Sequence, residues 1–174
     1  MLNRDGIAAF SLRALSQELG VSHAAAYRHF KNREDLIKEI FREASHMFRD
    51  ALSATVSPEI AGEEALIRLG VGYVRFFLDH PETLILFNLN PAGQPLLQDV
   101  FSDADEARGA FELFRGIAAG VREFEPYRAL SEREILLGFW SKVHGLSTIL
   151  VTQKGFIPEA DIPAVVERLM RTPF

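Results

Sequence analysis

Residues 20–33, GVSHAAAYRHFKNR, concentrate side chains that can donate hydrogen bonds to anionic or polar partners. Arginine and lysine bind phosphate oxygens through charge-assisted hydrogen bonds, and the planar arginine side chain can pair with two acceptors at once. Three consecutive alanines lie among these groups, where an ordinary amphipathic helix would place at least one large apolar side chain. The stretch therefore predicts a short helix whose small outer face is surrounded by cationic and hydrogen-bonding groups.

The charge of the chain is divided unevenly along its length. Residues 1–33 carry five basic and two acidic side chains, a net charge of +3, although the 174-residue chain has a net charge of −5. Residues 51–174 are acidic, with 11 basic and 17 acidic side chains. Such asymmetry favours a small basic segment that binds a polyanion, attached to an acidic body.

The composition excludes several classes of protein. There is no cysteine, which excludes disulfides and thiolate metal sites and favours a reducing compartment, and we therefore expect a cytoplasmic protein. No apolar run approaches the roughly 20 residues of a membrane span, so no membrane partner is expected. Phosphate-binding glycine loops and the G-x-S-x-G and H-E-x-x-H motifs are also missing, so we do not expect an enzyme.

Helical periodicity extends over nearly the whole chain and predicts an all-α fold of roughly eight helices. Ser131 with Glu134, and Asn32 with Asp35, resemble capping boxes at the starts of two long helices. The predicted helices are residues 33 to about 53 (with an apolar stripe of Leu36, Ile40, Ala44 and Met47), 62–80, 81–89, 102–124, 131–155 and about 162–171, after two short helices near residues 11–20 and 22–30.

These two short helices follow the helix-turn-helix plan. Ser11 can cap the first helix, Gly20 can form the turn, and Ser16 is the small residue that a close helix crossing requires. Ala26 and Phe30 would face inward, which leaves Ala24 and Ala25 outside. The alternative interpretation, an ordinary helical hairpin with solvated charges, stays open on these residues alone.

Contacts with double-stranded DNA would divide between bases and phosphates. Arg28 and His23 could contact base edges, and the small alanines would let the helix enter the major groove. Phosphate contacts are expected from Ser11, Tyr27, Lys31 and Arg33, aided by the N-termini of the helices beginning near residues 11 and 33. The complete candidate DNA-binding set is Ser11, Arg13, Ser22, His23, Ala24, Ala25, Tyr27, Arg28, His29, Lys31 and Arg33.

The stretch SLRALSQELGVSHAAAYRHFKNREDLIKEIF resembles the DNA-binding segment of the TetR (tetracycline-repressor-like) family of transcriptional regulators. The matching positions include Gly20, Val21, Ser22, Tyr27 and His29, followed by Phe30, Asn32, Glu34 and Leu36. The resemblance implies a homodimeric regulator with a DNA-binding domain at residues 1–50 and a helical effector-binding and dimerisation domain at residues 51–174. We expect a repressor released from its operator by a small apolar or aromatic effector.

The residues before this segment depart from the family pattern. Family members carry an amphipathic helix of about fifteen residues there, whereas only MLNRDGIAAF precedes the segment, so we expect an incomplete first helix. The alternative function is therefore a helical ligand-binding or interaction protein that lacks DNA binding.

The sequence FWSKVHGL, with Trp140, His144 and Gly145, resembles the WHG-type C-terminal domain of a subset of TetR-like regulators. That resemblance implies a dimer interface on this helix, for which the candidates are Leu136, Val143, Gly145, Ser147 and Leu150. The alternative is the central core helix of a monomer. No second metal ligand lies near His144 at helical spacing, so neither a metal nor a cofactor is expected.

Aromatic residues are concentrated in the middle of the chain. Aromatic side chains usually form core, but in a TetR-like body they could also line the pocket of an effector. The candidate pocket residues are Tyr73, Phe76, Phe77, Phe87, Phe101, Phe111, Phe114, Trp140 and His144, and for His144 a packed core histidine is the alternative.

Overall fold

The computed structural model of the protein describes residues 16–17, 20, 22, 28–89 and 108–172, except for the side chains of residues 85, 88, 89 and 108–111. Within these ranges the chain contains six α-helices, two short 3-10 helices and no strand, which confirms the all-α prediction. The helices are α1 (Arg33–Ser53), α2 (Gly62–Asp79), α3 (Pro81–Leu89), α4 (Arg108–Val121), α5 (Glu132–Thr152) and α6 (Ile162–Met170), with 3-10 helices at Tyr127–Ala129 and Glu159–Asp161.

The start of α1 differs in detail from the predicted capping box. The Asn32 side chain accepts a hydrogen bond from the backbone N–H of Asp35 at 2.8 Å, as expected of an N-cap. The Asp35 carboxylate, however, accepts from the backbone N–H of Lys31 at 3.0 Å instead of from that of Asn32. The two hydrogen bonds still fix the chain direction where it enters α1.

The buried face of α1 is rotated relative to the predicted stripe. Leu36 and Ala44 are buried as predicted, but Met47 is 42% exposed, and the neighbouring Phe48 is only 8% exposed. Phe48 lies four residues after Ala44 and four before the fully buried Leu52, so the three share one side of the helix. The prediction of Met47 as a core residue was therefore wrong by one position.

Helix α2 lies at the centre of the described fold and packs against α1, α4, α5 and α6. Two of its glycines permit close approach. A Cβ atom added at Gly72 would lie 2.5 Å from Cγ2 of Thr55, just after α1, and one added at Gly70 would lie 2.5 Å from Cε of Met170 in α6. The small residues of α2 therefore set its distance from both neighbours.

The limits of α4 and α5 test the capping and periodicity arguments. Ser131 and Glu134 form the predicted capping box, because the Ser131 side chain accepts from the Glu134 N–H and the Glu134 carboxylate accepts from the Ser131 N–H. Helix α4 ends at Val121 rather than at residue 124, since the chain then turns and the Phe124 N–H donates to the Val121 carbonyl. The predicted start of that helix near residue 102 lies outside the described residues.

Lys142 of α5 connects that helix to the end of α6. Its ammonium group donates to the carbonyl of Leu169 at 2.9 Å and to both the carbonyl and the hydroxyl of Thr172. The carbonyls at a helix C-terminus have no partner within the helix, and a cation near them is also favoured by the helix dipole. Lys142 thus caps α6.

We expect Lys142→Met to lower the free energy of unfolding by about 1–2 kcal/mol, because the capped carbonyls lose a charged donor while the apolar part of the side chain is kept. Lys154→Met is the matched control, since Lys154 is exposed beyond the end of α5. Urea denaturation of both variants measures the difference. Equal stabilities of the two variants would contradict a capping role.

Candidate functional site

The two residues that define the predicted helix crossing and turn are both described. Gly20 has φ of +65°, a left-handed conformation that favours glycine, and its N–H donates to the carbonyl of Gln17 at 3.3 Å. Ser16 is 2% exposed, which agrees with a small side chain at a close helix contact. The local geometry thus has the turn and the small buried residue that the helix-turn-helix interpretation requires.

The polar side chains described after this turn lie on the surface. Ser22, Arg28, His29, Lys31 and Arg33 are all exposed, and Arg33 begins α1. The remaining candidate DNA-binding residues, Ser11, Arg13, His23, Ala24, Ala25 and Tyr27, lie outside the described residues. Four basic or ionisable side chains within six residues therefore form an exposed group that can meet phosphates.

The N-terminus of α1 is less suited to a phosphate than the sequence predicted. Its first turn carries Glu34 and Asp35, and the Asp35 carboxylate already accepts one backbone N–H. A carboxylate at a helix N-terminus occupies the position that favours an anion. The amides of α1 are thus less available to a phosphate than predicted, and the exposed side chains of Lys31 and Arg33 stay the predicted phosphate contacts.

At the other end of α1, Phe48 lies within a cluster of aromatic rings. Its ring centroid is 5.2 Å from that of Tyr73, 5.0 Å from Phe76, 5.5 Å from Phe77 and 5.8 Å from Phe87. Such separations give favourable aromatic contacts in addition to the burial of apolar area. The cluster joins α1 to α2 and α3.

A chain of hydrogen bonds passes from this cluster to α5. The Trp140 Nε1–H donates to the Tyr73 hydroxyl at 3.2 Å, and that hydroxyl is 3.0 Å from Nδ1 of His144. Burial raises the pKa of Tyr73 well above its usual range and lowers the pKa of His144. Both groups are therefore neutral near pH 7, which agrees with a hydrogen-bonded pair inside an apolar region.

The structure brings most of the predicted pocket residues together. Tyr73, Phe76 and Phe77 are buried, whereas Phe87, Phe114, Trp140 and His144 are partly buried around them. Phe101 lies outside the described residues, as does the side chain of Phe111. Sequence reasoning missed Phe48, although its spacing from Ala44 and Leu52 at helical period was a usable signal.

The candidate interface residues on α5 fall on two different faces. Leu136, Val143, Ser147 and Leu150 are buried within the protomer, so a partner molecule cannot reach them in this conformation. Gly145 lies on another side, where an added Cβ atom would meet nothing within 4 Å. The outward surface of α5 also includes Leu137, Ser141, Ile149 and Thr152, of which Leu137 is 54% exposed. We call Leu137, Ser141, Gly145, Ile149 and Thr152 the outward stripe.

Metal chemistry finds no support in the described part of the chain. No group of three or more histidine, aspartate or glutamate side chains there could hold a metal ion. The His144 neighbourhood instead supplies a phenol and an indole, which are hydrogen-bonding groups.

Two family models match the chain. The model described as "Bacterial regulatory proteins, tetR family" matches residues 1–40, and the one described as "Tetracyclin repressor-like, C-terminal domain" matches residues 66–172. The second match alone covers more than half of the chain. It does not show the narrower WHG-type subgroup, which stays a prediction. Among curated proteins, nothing matches the chain.

Solved structures share the fold. A tetR-family bacterial regulatory protein from Rhodococcus RHA1 has a TM-score of 0.71 at 21% identity, covering 98% of this chain and 89% of its own. A TetR-family transcriptional regulator from Haemophilus influenzae RD has a TM-score of 0.68 at 18% identity, covering 98% and 88%. The TetR/AcrR-family regulator from Thermobifida fusca YX-ER1 has a TM-score of 0.61 at 18% identity, covering 99% and 92%. With both family models in agreement, the chain belongs to the TetR family and is a DNA-binding transcriptional regulator.

Proposed function

We propose that this regulator is a homodimeric, cytoplasmic repressor that leaves its double-stranded DNA operator when a small apolar or aromatic effector binds among α1, α2, α4 and α5. The observation that carries the proposal is the position of α1. Its N-terminus follows directly on the exposed basic residues Arg28 and Lys31, and its C-terminal half packs through Phe48 against the aromatic cluster. A ligand that repositions the rings around Phe48 would move α1 and the DNA-contacting residues attached to it.

The outward stripe of α5 supports a second copy of this chain as the dimer partner. Only 28% of the most apolar 18-residue stretch of α5 is buried within the protomer. A helix of this composition exposes little apolar surface unless another molecule covers it. Gly145, with open space around it, would let a symmetry-related α5 approach closely.

This arrangement suggests how effector binding would change operator binding. In the DNA-bound form, the exposed basic residues at 28–33 of the two subunits face successive major grooves about one helical turn apart. Effector binding favours the conformation of α1 that fits the ligand, and the altered spacing of the two groups weakens their joint contact with the operator. The ligand changes DNA affinity only to the extent that it binds the two conformations differently.

Loss of DNA binding in an Arg28→Ala variant tests the proposed DNA contacts. We expect the dissociation constant for the DNA upstream of the protein's own gene, measured in 0.1 M salt, to rise about tenfold or more. The reason is that a base or phosphate contact is lost. Arg75→Ala is the control, because Arg75 is exposed on α2 and its one ion pair within the described residues is with Asp79 at 3.6 Å. An electrophoretic gel shift measures both variants, and equal affinities would contradict the assignment.

Substitution of Gly145 tests the dimer surface. Within the described residues an added Cβ atom at this position meets nothing within 4 Å, and removing a glycine from a helix interior favours the helix, so we expect Gly145→Leu to fold normally. The added side chain would separate two copies of α5, and we expect the dimer to dissociate to monomers at micromolar concentration. Gly116→Leu is the matched control on α4, where an added Cβ atom also meets nothing within 4 Å. Light scattering after size exclusion distinguishes the outcomes, and a dimeric Gly145→Leu variant would exclude this surface.

A further inference from the structure

The hydrogen bonds around Tyr73 have a fixed direction. Trp140 carries a donor and no acceptor, so its Nε1–H must donate to the Tyr73 oxygen. The proton of the Tyr73 hydroxyl then needs an acceptor, because Tyr73 is buried and an unpaired buried donor is costly. Within the described residues, Nδ1 of His144 is the acceptor that lies within reach, at 3.0 Å.

This direction determines the state of His144. If Nδ1 accepts from Tyr73, it carries no proton, and a neutral imidazole then has its proton on Nε2. No hydrogen bond to Nε2 is present within the described part of the chain. His144 is only partly buried, and its ring centroid is 5.7 Å from that of the partly buried Trp140. The partly buried Phe114 contacts the neighbouring Tyr73, with ring centroids 6.4 Å apart. The Nε2–H of His144 is therefore a hydrogen-bond donor at the edge of an aromatic region.

Among the described residues, no buried charge is available to balance an anionic ligand at this donor. The buried side chains of the described residues include Ser16, Thr83 and Ser147 as polar members but no lysine, arginine, aspartate or glutamate. Burial lowers the pKa of His144, and no ionised group in the described part of the chain contributes to that shift. An anionic ligand bound here would lose part of its hydration without gaining a buried counter-charge from the described residues, which disfavours it relative to a neutral ligand.

We propose that the effector is an uncharged, mainly apolar or aromatic molecule whose carbonyl oxygen accepts a hydrogen bond from Nε2–H of His144. This inference rests on the proposed function, since it assigns a ligand class to the effector site of a ligand-responsive regulator. The aromatic side chains of Phe114 and Trp140 contact the body of the ligand, and the hydrogen bonds from Trp140 to Tyr73 to His144 hold the donor in place. Ketones, esters and amides belong to this class; carboxylates do not.

The ring nitrogens of His144 give a first test that needs no ligand. In the protein labelled with 15N at histidine, NMR at pH 7.5 is expected to show Nε2 protonated and Nδ1 unprotonated for His144. The resonance is assigned by its loss in His144→Phe. A proton on Nδ1 would reverse the hydrogen-bond direction and overturn the proposal.

Three small probes then test the ligand class. The ketone 4-phenylbutan-2-one, the hydrocarbon propylbenzene and the anion 3-phenylpropanoate present a similar body with and without an acceptor or charge. Trp140, the sole tryptophan of the chain, reports binding through its fluorescence. At pH 7.5 we expect the anion to bind at least tenfold more weakly than the ketone. We also expect His144→Phe to weaken ketone binding about tenfold without changing that of propylbenzene, whereas His46→Phe on the outside of α1 changes neither.

Three other outcomes would contradict the proposed ligand class. Anion binding as tight as ketone binding, an equal loss of ketone and hydrocarbon affinity in His144→Phe, or no fluorescence response to any probe would each overturn the proposed ligand class. Operator binding in the gel shift is measured independently on the same protein. If the operator is bound but the ketone is not, this inference fails alone, and if no operator is bound, the proposed repressor function fails.

Discussion

Phe48→Ala is expected to lower the free energy of unfolding by about 3–5 kcal/mol, whereas Met47→Ala changes it by less than about 0.5 kcal/mol. The two residues are adjacent in α1, but Phe48 is 8% exposed among four aromatic rings and Met47 is 42% exposed. Removing the Phe48 ring leaves a cavity that the rigid neighbouring rings fill only partly. Urea denaturation followed by circular dichroism measures both variants.

Such a loss is a large part of the total stability of an ordinary domain, which is about 5–15 kcal/mol. The pair of variants also tests which face of α1 is buried. Similar losses for Phe48→Ala and Met47→Ala would contradict the described orientation of the helix. A smaller change, Phe48→Leu, keeps most of the buried volume and should recover much of the stability while altering the response to effector.

Gly72→Ala is expected to destabilise the protein by about 1–3 kcal/mol, although alanine is the better helix former. The new methyl group would lie 2.5 Å from Cγ2 of Thr55, a short side chain whose hydroxyl donates to the Leu52 carbonyl at 2.7 Å and which cannot easily move. Gly70→Ala is the matched control in the same helix. There the contact is the flexible end of Met170, so we expect a change within about 1 kcal/mol of zero.

A second substitution identifies the atom responsible. Thr55→Ser removes Cγ2 and keeps the hydroxyl, so Gly72→Ala should be markedly less costly in that background, and the double-mutant cycle gives the coupling between the two positions. Unfolding midpoints of the four proteins provide the measurement. An equal cost of Gly72→Ala in both backgrounds would show that Thr55 does not limit the approach of α1 to α2.

Much of the helical framework was predictable because its signals are local. The capping box of Ser131 and Glu134, the N-cap at Asn32 and Pro81 at the start of α3 each act within one turn of chain, and all three lie where expected. The end of α4 was misjudged by three residues, since the composition of residues 122–124 alone does not reveal the turn that follows Val121. At a helix end, the helical and turn conformations differ little in free energy, so the last residue of a helix is hard to predict.

Local periodicity contains enough information for the buried face of α1 but not for that of α5. Aromatic composition predicted that Tyr73, Phe76 and Phe77 would lie together, but a one-residue error on α1 exchanged Phe48 for Met47. Helix α5 was expected to use Leu136 and Val143 against a partner, yet a helix that is apolar on several faces does not indicate which face the protomer itself buries. Only the packing of α5 against α2 resolves that choice.

Because α1 is long, a small tilt of the helix at the aromatic cluster moves its N-terminal end by a large distance. Fifteen residues separate Phe48 from Arg33, which at the rise of an α-helix is about 22 Å. If Phe48 acts as the fulcrum, a rotation of about 5° displaces the Arg33 end by about 2 Å, and two symmetric subunits double that displacement to about 4 Å. That is close to the roughly 3.4 Å between successive base pairs. A tilt of α1 by about 5° around Phe48 would thus place the two halves of the proposed dimer about one base pair out of register with the operator.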